Sequence, residues 1–374
     1  MSRLRSIPVW GWIIFSLLVI GILLLFPHSF DEKTSSEYAF TAQSFESQGE
    51  LELAADTWHK VLENEPKNPE AAYRLGLLLT LLNMEKSEPY LRQAANLDPG
   101  YQAATARILN TIRLASFAED PAYQVIQIGQ SLAAEDEWQL AFFAFQRATQ
   151  LNPEYTEAWA YLGLAQQELG QDGYQALSRA IELNPESLAA NALMGAYWRS
   201  QGEPEKALPF FQTASDLDPE NLNLLADLGL ALADVGDMTG ALDQFDKLVN
   251  LAPEDVQSWM VVAQFSLDYN VQLEEIGLPA ARQAVLLDGQ NPQALVLLAR
   301  VYSQQGDTVL APRFFERALQ ADPEYPPAHF YFGVYYLAHE DLSLAQEHLE
   351  IAVELSPDTT IGKQAQQVLD EYFN

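Results

Sequence analysis

Apolar residues recur at the same positions in two successive segments between residues 191 and 253. Each segment has a large apolar residue followed by glycine, then a second glycine, and then three more apolar residues before a proline. The first set is Met194, Gly195, Trp198, Gly202, Ala207, Phe211, Ala214 and Pro219, and 34 positions later the second is Leu228, Gly229, Leu232, Gly236, Ala241, Phe245, Leu248 and Pro253. Apolar residues three and four apart share one face of a helix, so each segment is predicted to form two packed helices that turn at the second glycine. The proline ends each unit, because it is disfavoured inside a helix but accepted in a first turn.

The same pattern continues, with local variations, over residues 35–357. Residues 35–99 hold two units, and the first of these is degenerate because Thr41 and Ala42 replace the large residue and the glycine. Residues 122–357 hold seven more units, one of which has a turn lengthened by two residues before Ala284. Residues 358–374 form an amphipathic segment, which predicts a C-terminal capping helix.

Residues 100–121 do not fit the repeated pattern. The interval from Pro99 to Pro153 is 54 residues, which is 20 more than one period. The surplus is predicted to form one inserted, irregular helix that ends at Pro121. Three interpretations remain open: a degraded half-repeat, a packing correction between two sub-arrays, or a docking surface. Insertions mostly adjust packing or loops, which favours the first two.

An uncharged and strongly apolar run occupies residues 7–26. As a helix it would span about 30 Å, the thickness of the hydrocarbon core of a bilayer, and it is therefore predicted to be a transmembrane signal anchor. Arg3 and Arg5 precede it, so the positive-inside rule predicts a cytoplasmic segment at residues 1–6, a tether at residues 27–34 and repeats outside the cytoplasm. A cleaved signal peptide is the alternative, and the length of the run and the lack of a small-residue cleavage site disfavour it. A buried core helix is also disfavoured, because the run is apolar on every face.

Charge narrows the range of partners. The chain has 20 Lys and Arg residues against 52 Asp and Glu residues, a net charge of −32 at pH 7. The negative electrostatic field of such a chain repels nucleic acid and anionic lipid surfaces. The acids are consistent with a solvated surface that keeps a long apolar array soluble, and also with selection of a basic partner, so both interpretations remain open. The absence of cysteine excludes disulfides, thiolate metal sites and cysteine nucleophiles.

The sequence contains no recognisable catalytic pattern. It has no GxxxxGK[ST] phosphate loop, no GxGxxG turn after a strand and no GxSxG elbow. Its five histidines form no HxxxH or HExxH arrangement. Neighbouring acids such as Glu274 and Glu275 fall in predicted turns, where water solvates them and no apolar pocket shifts a pKa. We therefore expect no catalytic residue, no cofactor-binding site, no metal site and no enzyme activity.

The 34-residue period and its eight recurring positions resemble the tetratricopeptide repeat (TPR). The resemblance implies an all-α fold, an α-solenoid of about nine helix-turn-helix repeats forming a superhelix, here preceded by one N-terminal transmembrane helix. It also implies a scaffold that holds a segment of another protein in a concave groove. Aromatic residues at the repeated positions, such as Phe211 and Phe245, are then core residues.

In the resembled family, the first helix of each unit lines the groove, and its exposed positions can be carried over to this sequence residue by residue. The groove residues implied in this way are Tyr73, Arg74, Gln127, Gln130, Tyr161, Gln167, Arg199, Asp227, Gln264, Arg300, Phe330 and Tyr331. Family members that grip the acidic C-termini of chaperones use a Lys/Asn clamp. The matching positions here are Ala192 and Ala196, or Ala226 and Leu230, so such tails are not expected as partners.

Together with the predicted anchor, the resemblance implies a membrane-anchored, bacterial-type TPR scaffold or adaptor that acts in the assembly or maturation of an envelope or secreted complex. The expected partners are a protein or peptide and, through the N-terminal helix, the membrane, with no nucleic acid and no metal. One alternative is a membrane-tethered TPR receptor or adaptor whose repeats face the cytosol. Another, of a different class, is the substrate-recognition subunit of an enzyme.

Overall fold

The computed structural model describes residues 34–373, which contain 20 α-helices and no β-strand. The all-α solenoid predicted from the sequence is therefore confirmed. The predicted transmembrane helix at residues 7–26 and the cytoplasmic segment before it lie outside the described residues. Between residues 34 and 373, no helix combines the length and the apolar character needed to cross a membrane.

The described residues fall into two compact units, and the first ends at Gln171. Its helices are α1 (Ser35–Gln48), α2 (Leu51–Asn64), α3 (Pro69–Leu82), α4 (Glu88–Leu97), α5 (Gln102–Ala115), α6 (Pro121–Ala133), α7 (Trp138–Leu151) and α8 (Thr156–Glu168). Short 3₁₀ turns at Met84–Lys86 and Pro99–Tyr101 precede α4 and α5. Helices α1 and α2, α3 and α4, and α6 and α7 pack as antiparallel neighbours, whereas α5 lies between α4 and α6 without a partner of its own.

The second unit begins at Asp172. Its helices are α9 (Tyr174–Leu183), α10 (Leu188–Ser200), α11 (Pro204–Leu217), α12 (Leu222–Asp234), α13 (Met238–Leu251), α14 (Val256–Asp268), α15 (Leu278–Leu287), α16 (Pro292–Gln304), α17 (Leu310–Ala321), α18 (Pro326–Ala338), α19 (Leu342–Leu355) and α20 (Thr360–Tyr372). A π-helical turn at Leu273–Gly277 takes up the longer connection between α14 and α15. The five pairs that begin at α10, α12, α14, α16 and α18 follow one another, and α20 packs on the last of them.

Helices α10, α12, α14 and α16, each the first of its pair, begin where the sequence supplies a capping oxygen. The carboxylate of Asp255 accepts the backbone N–H of Ser258 at 2.7 Å, and the amide oxygen of Asn291 accepts that of Ala294 at 3.1 Å. A side chain of this kind satisfies an N–H that has no partner within the helix, and it contributes about 1 kcal/mol. The Asp255 cap follows Pro253, the proline that was predicted to end the preceding unit.

The turn between the two helices of a pair depends on a left-handed residue. In successive pairs of the second unit these residues are Gly202 (φ 71°), Gly236 (φ 87°), Asn270 (φ 51°), Gly306 (φ 74°) and Glu340 (φ 62°). Glycine adopts this conformation without a steric penalty and asparagine tolerates it, whereas glutamate does so at a cost. The turn is thus retained even where the glycine is not.

The two helices of a pair approach closely because a glycine on the first faces a large side chain on the second. A Cβ atom added to Gly229 would lie 2.8 Å from Cζ of Phe245, and one added to Gly195 would lie 2.9 Å from Cδ1 of Phe211. Both phenylalanines are fully buried. The predicted role of these glycines in helix contact follows from this geometry.

In the first unit, the third pair folds back on the first two. Helix α7 contacts α1, and α6 contacts α3. Arg74 on α3 forms ion pairs with Glu46 on α1 and with Glu137 at the start of α7, the latter at 2.6 Å. The guanidinium of Arg147 on α7 also donates a hydrogen bond to the carbonyl of Leu81 on α3. Residues of α7 thus lie against α1 and α3, a contact between helices that are distant in sequence.

A pair of histidines joins α18 to α19 in the second unit. His329 Nδ1 lies 3.0 Å from His348 Nδ1, and His329 Nε2 lies 3.0 Å from the carbonyl oxygen of Pro323. Because a carbonyl only accepts, His329 carries its proton on Nε2, and His348 Nδ1 is then the donor to His329 Nδ1. Burial, together with the neighbouring His329, lowers the pKa of His348. The charged form of His348 is therefore disfavoured in the folded protein.

Gly229→Leu tests the close contact within a pair. The added side chain would overlap the ring of Phe245, and overpacking of this kind costs about 1–3 kcal/mol or more. We expect a clear fall in the melting temperature measured by circular dichroism. Asn223→Leu, on the exposed face of the same helix, is the control and should leave the melting temperature nearly unchanged. Equal, small effects of the two substitutions would contradict the close contact.

His348→Gln tests how the contact between His348 and His329 depends on pH. The folded-state pKa of His348 is below its unfolded value of about 6.5, so the stability that comes from a neutral His348 is complete above that pH. This stability is lost as the pH falls from there through the folded-state pKa, by at most about 1.4 kcal/mol per pH unit for one proton. Glutamine can still donate to His329 but does not titrate. We expect the wild-type chain to lose more thermal stability than the variant between pH 7.5 and pH 5.5. Parallel losses would show that the pair does not couple to pH.

Candidate functional site

The first helices of the pairs in the second unit form one continuous surface. Helix α12 contacts α14, α14 contacts α16, and α16 contacts α18. The side chains of these helices that point away from the second helices share this surface. We call it the A-helix face, and we define it as the exposed and half-buried side chains of α12, α14, α16 and α18. The face is made by regular helices, so its side chains are held on a rigid support.

A shallow apolar depression lies in the A-helix face between α12, α14 and α16. Its lining consists of Leu230, Gln257, Met260, Val261, Gln264, Phe265, Gln293 and Leu297. Its volume is about 140 Å³, below the range of roughly 300–1,000 Å³ typical of cofactor and small-molecule sites. The depression has room for a side chain of a partner rather than for a whole small ligand.

Glutamine amides stand at the rim of this depression. The side chains of Gln257 and Gln293 are exposed, and their amide groups form no hydrogen bond with any described residue. They occupy the second position of α14 and α16, and Asn223 occupies the same position of α12. An amide both donates and accepts, so this row matches the hydrogen-bonding groups of an extended peptide backbone.

Arg199 is engaged by the chain itself. Its Nε donates to Oδ2 of Asp234 at 2.7 Å, and the hydroxyl of Tyr269 donates to the other oxygen of that carboxylate. Burial, and after it the bond to Asp234, raises the pKa of Tyr269 to about 12. The three side chains belong to α10, α12 and the end of α14, so they link three successive pairs.

Arg300 is also engaged. Its Nη1 donates to Oε1 of Gln264 at 2.9 Å, its Nη2 lies 3.6 Å from Oδ1 of Asp268, and its guanidinium stacks 4.2 Å from the ring centre of Tyr331. The structure thus brings together the predicted groove residues Gln264, Arg300 and Tyr331. Phe330, which precedes Tyr331, packs instead into the core formed with α19 and α20.

Asp227 is half-buried and differs from the other carboxylates of the face. It lines a second depression, between α10 and α12, together with Ala196, Arg199, Ser200, Phe211 and Asp234. Burial raises the pKa of Asp227, while the positive charge of Arg199 opposes that shift. Among the described residues it has no hydrogen-bond or ion-pair partner. The charge of Asp227 is therefore not neutralised by a direct contact.

Two predicted groove residues of the first unit lie in its interior contacts. Tyr73 is 7% exposed and its ring packs 4.5 Å from that of Tyr101, while burial raises the pKa of its hydroxyl. Arg74 holds Glu46 and Glu137 and has a side chain that is 20% exposed. Sequence reasoning placed both on an open face, because it did not anticipate that Glu137 at the start of α7 would hold Arg74 or that Tyr101 before α5 would cover Tyr73.

The remaining predicted residues of the first unit lie on α6 and α8. Gln127 donates to Gln130 at 3.0 Å, and Gln130 hydrogen-bonds the hydroxyl of Tyr161. The Tyr161 ring stacks on Phe145, with 5.5 Å between the ring centres. Gln167 is engaged with the carbonyl of Gly163 on its own helix at 3.4 Å. These side chains form a small half-buried network, and their role in binding remains a prediction.

Sequence reasoning predicted Gln264 but missed the other residues that form the depression. Gln257, Gln293, Met260 and Leu297 were not among the predicted groove residues, although a signal for the amides was present. Polar amides occupy the second helix position in three successive units, at Asn223, Gln257 and Gln293. The structure describes no cluster of three or more His, Asp or Glu side chains suited to a metal between residues 34 and 373.

Comparison with protein-family models finds tetratricopeptide repeats in three stretches of the chain. One model matches residues 199–265, and a second matches residues 41–106 and 275–326. The stretch at residues 41–106 ends within the inserted helix. The break between residues 265 and 275 falls at the lengthened turn. The repeat pattern is disturbed at both places. The match at residues 199–265 includes most of α12 and α14, which contribute to the A-helix face.

A curated relative and several solved structures are similar to parts or most of the chain. The auxiliary subunit NAA15 of the N-terminal acetyltransferase A complex of Arabidopsis thaliana is 31% identical over 67 residues, which are 18% of this chain and only 8% of that protein. Yeast Tom70 has a TM-score of 0.53 at 15% identity, covering 91% of this chain and 89% of its own. A tetratricopeptide repeat protein from Parabacteroides merdae has a TM-score of 0.54 at 16% identity, covering 66% and 98%. At these identities the structures show the fold alone, and with the family models they establish that this chain contains tetratricopeptide repeats.

Proposed function

We infer that this protein is a scaffold that binds a segment of a partner protein on the A-helix face of its second unit. The observation that carries the inference is the apolar depression rimmed by the free amides of Gln257 and Gln293. Apolar floors with a few oriented polar groups are typical of recognition sites, and repeat folds use such extended surfaces to hold peptides. The small volume of the depression supports a side chain of a partner as its occupant.

The chemistry of the face suits an extended backbone. Each amide at the second helix position can donate to a peptide carbonyl and accept from a peptide N–H. An apolar side chain that enters the depression leaves water and contacts Met260, Leu297 and Leu230, which contributes about 25 cal/mol per Å² of apolar surface buried. Orientation then comes from the amides, and affinity comes mostly from the apolar contact.

The apolar run at residues 7–26 supports an anchored form of this scaffold. On this proposal the run crosses a membrane once, with Arg3 and Arg5 on the cytoplasmic side, and the repeats lie outside the cytoplasm near the membrane surface. A tethered repeat scaffold in that place would hold a component of an envelope or secreted complex during its assembly or maturation. Repeats that face the cytosol are the alternative topology.

Leu230→Arg tests the proposed binding face. We would pan a phage-displayed library of random 12-residue peptides against the full chain in a mild detergent, and measure the dissociation constants of the selected peptides by fluorescence polarisation. The half-exposed Leu230 lines the depression, so a long charged side chain there should block it and weaken binding at least about tenfold. The fold should be unaffected, with unchanged helicity by circular dichroism.

Leu286→Arg is the matched control for that experiment. Leu286 is 77% exposed on α15, a second helix of its pair, and therefore lies off the A-helix face. Peptides bound at the proposed face should retain their affinity for this variant. Equal losses in the two variants, or no loss in either, would place binding elsewhere and overturn the proposal.

Protease accessibility tests the proposed topology. Intact cells, or spheroplasts where there is an outer membrane, would be treated with protease and probed for a tag at the C-terminus. Loss of the tag is expected, because the repeats would lie outside the cytoplasm. Protection until lysis would instead favour the cytosol-facing alternative.

A further inference from the structure

Neither Arg300, on the A-helix face, nor Arg199, on the neighbouring helix α10, is free to meet an acidic partner. Arg199 is held by Asp234 and Tyr269, and Arg300 is held by Gln264, Asp268 and Tyr331. Releasing either arginine to a partner would leave a carboxylate of this chain without its counter-charge. Acidic segments are therefore disfavoured as occupants of this face.

Asp227 leaves a carboxylate available on the same face. It stands one turn before Leu230 on α12, so the two side chains project from the same side of that helix. Leu230 lines the apolar depression, whereas Asp227 lines the neighbouring depression between α10 and α12. An apolar subsite and an unpaired carboxylate thus lie side by side.

The electrostatic field of the whole second unit is negative, like the charge of Asp227. Residues 172–374 contain 9 Lys and Arg residues against 31 Asp and Glu residues. This excess attracts cationic segments from a distance and repels anionic ones, and Asp227 supplies a local contact within that field. Charge complementarity therefore selects a basic occupant.

The distance between the two depressions sets a spacing in the occupant. Neighbouring packed helices are about 8–10 Å apart, and the two depressions lie on either side of α12. An extended chain in the polyproline II conformation has three residues per turn and advances about 3.1 Å per residue, so side chains three residues apart point to the same side and lie about 9 Å apart. Side chains three residues apart in a peptide can then reach both depressions.

We propose that the partner segment is an extended basic–apolar peptide, with a Lys or Arg at Asp227 and a large aliphatic side chain, about three residues away, in the depression formed by Leu230, Met260 and Leu297. This inference rests on the proposed function of the A-helix face and adds the chemical class of the partner. The glutamines beside the depression hydrogen-bond the backbone between and beyond these two side chains. The cation pairs with a carboxylate that burial has already removed partly from water, which strengthens the contact relative to an exposed pair.

Selection on a charge variant tests the proposal. The same random 12-residue phage library would be panned in parallel on the full wild-type chain, on Asp227→Asn and on Asp246→Asn. Asp246 is exposed on α13, and its substitution changes the net charge by the same amount as that of Asp227. We expect wild-type and Asp246→Asn to select peptides with Lys or Arg about three residues from Leu, Ile or Met, and Asp227→Asn to lose the basic residue from the pattern while it keeps the apolar one.

Binding measurements on individual peptides complete the test. A selected peptide should bind Asp227→Asn about tenfold more weakly than wild-type. The analogue with Glu in place of the basic residue should bind the wild-type chain more weakly by at least the same factor. In 0.5 M NaCl the difference in affinity between wild-type and Asp227→Asn should be smaller. Peptides whose binding is weakened by Leu230→Arg but which show no preference for a basic residue would overturn the proposed partner class. A basic preference that Asp227→Asn does not change would overturn it too. Either result would leave the proposed function intact. Failure to select any Leu230-dependent peptide overturns the proposed function and this inference with it.

Discussion

The close approach of a glycine to a large ring is the contact on which the rest of this structure depends. In the pair α12 and α13, Gly229 lies under Phe245, and in α10 and α11, Gly195 lies under Phe211. A side chain at either glycine would push the helices apart by an amount that the next pair, packed on the same helices, could not absorb. At the equivalent position α14 and α16 have the fully buried Ala263 and Ala299, and α18 has Gly333 against Leu349. A small residue in each pair thus keeps the helices close and gives the first helices that form the A-helix face a regular spacing.

Polar contacts between neighbouring pairs determine what the face presents. The chain has few basic residues, and two of them in the second unit, Arg199 and Arg300, are used between pairs. Each pairs with a carboxylate of a neighbouring first helix, the hydroxyl of Tyr269 donates to the carboxylate of Asp234, and the ring of Tyr331 stacks on the guanidinium of Arg300. What remains free is an uncharged amide row and one half-buried carboxylate, and these are the groups to which the proposed basic–apolar peptide would bind.

The first unit uses the same repeat differently. There Arg74 and Tyr73 occupy positions equivalent to an open face, but Glu137 at the start of α7 engages Arg74 and Tyr101 before α5 packs on Tyr73. The unpaired helix α5 separates the second pair from the third and precedes α7. A surplus helix thus accompanies local closure of a face that would be open in an unbroken array, which is a structural role for the insertion at residues 100–121.

The sequence by itself determined the all-α repeat, because the spacing of glycine, aromatic and proline residues is a local property that repeats in phase. It also indicated the turn and contact roles of Gly236 and Gly229. Only the tertiary structure decided which groove positions remain free, because contacts such as Arg74 with Glu137 join residues 63 positions apart and Arg199 with Asp234 joins adjacent pairs. No local pattern encodes the partner of a long charged side chain, and for the same reason the depression around Met260 and Leu297 appeared only when three helices were brought together.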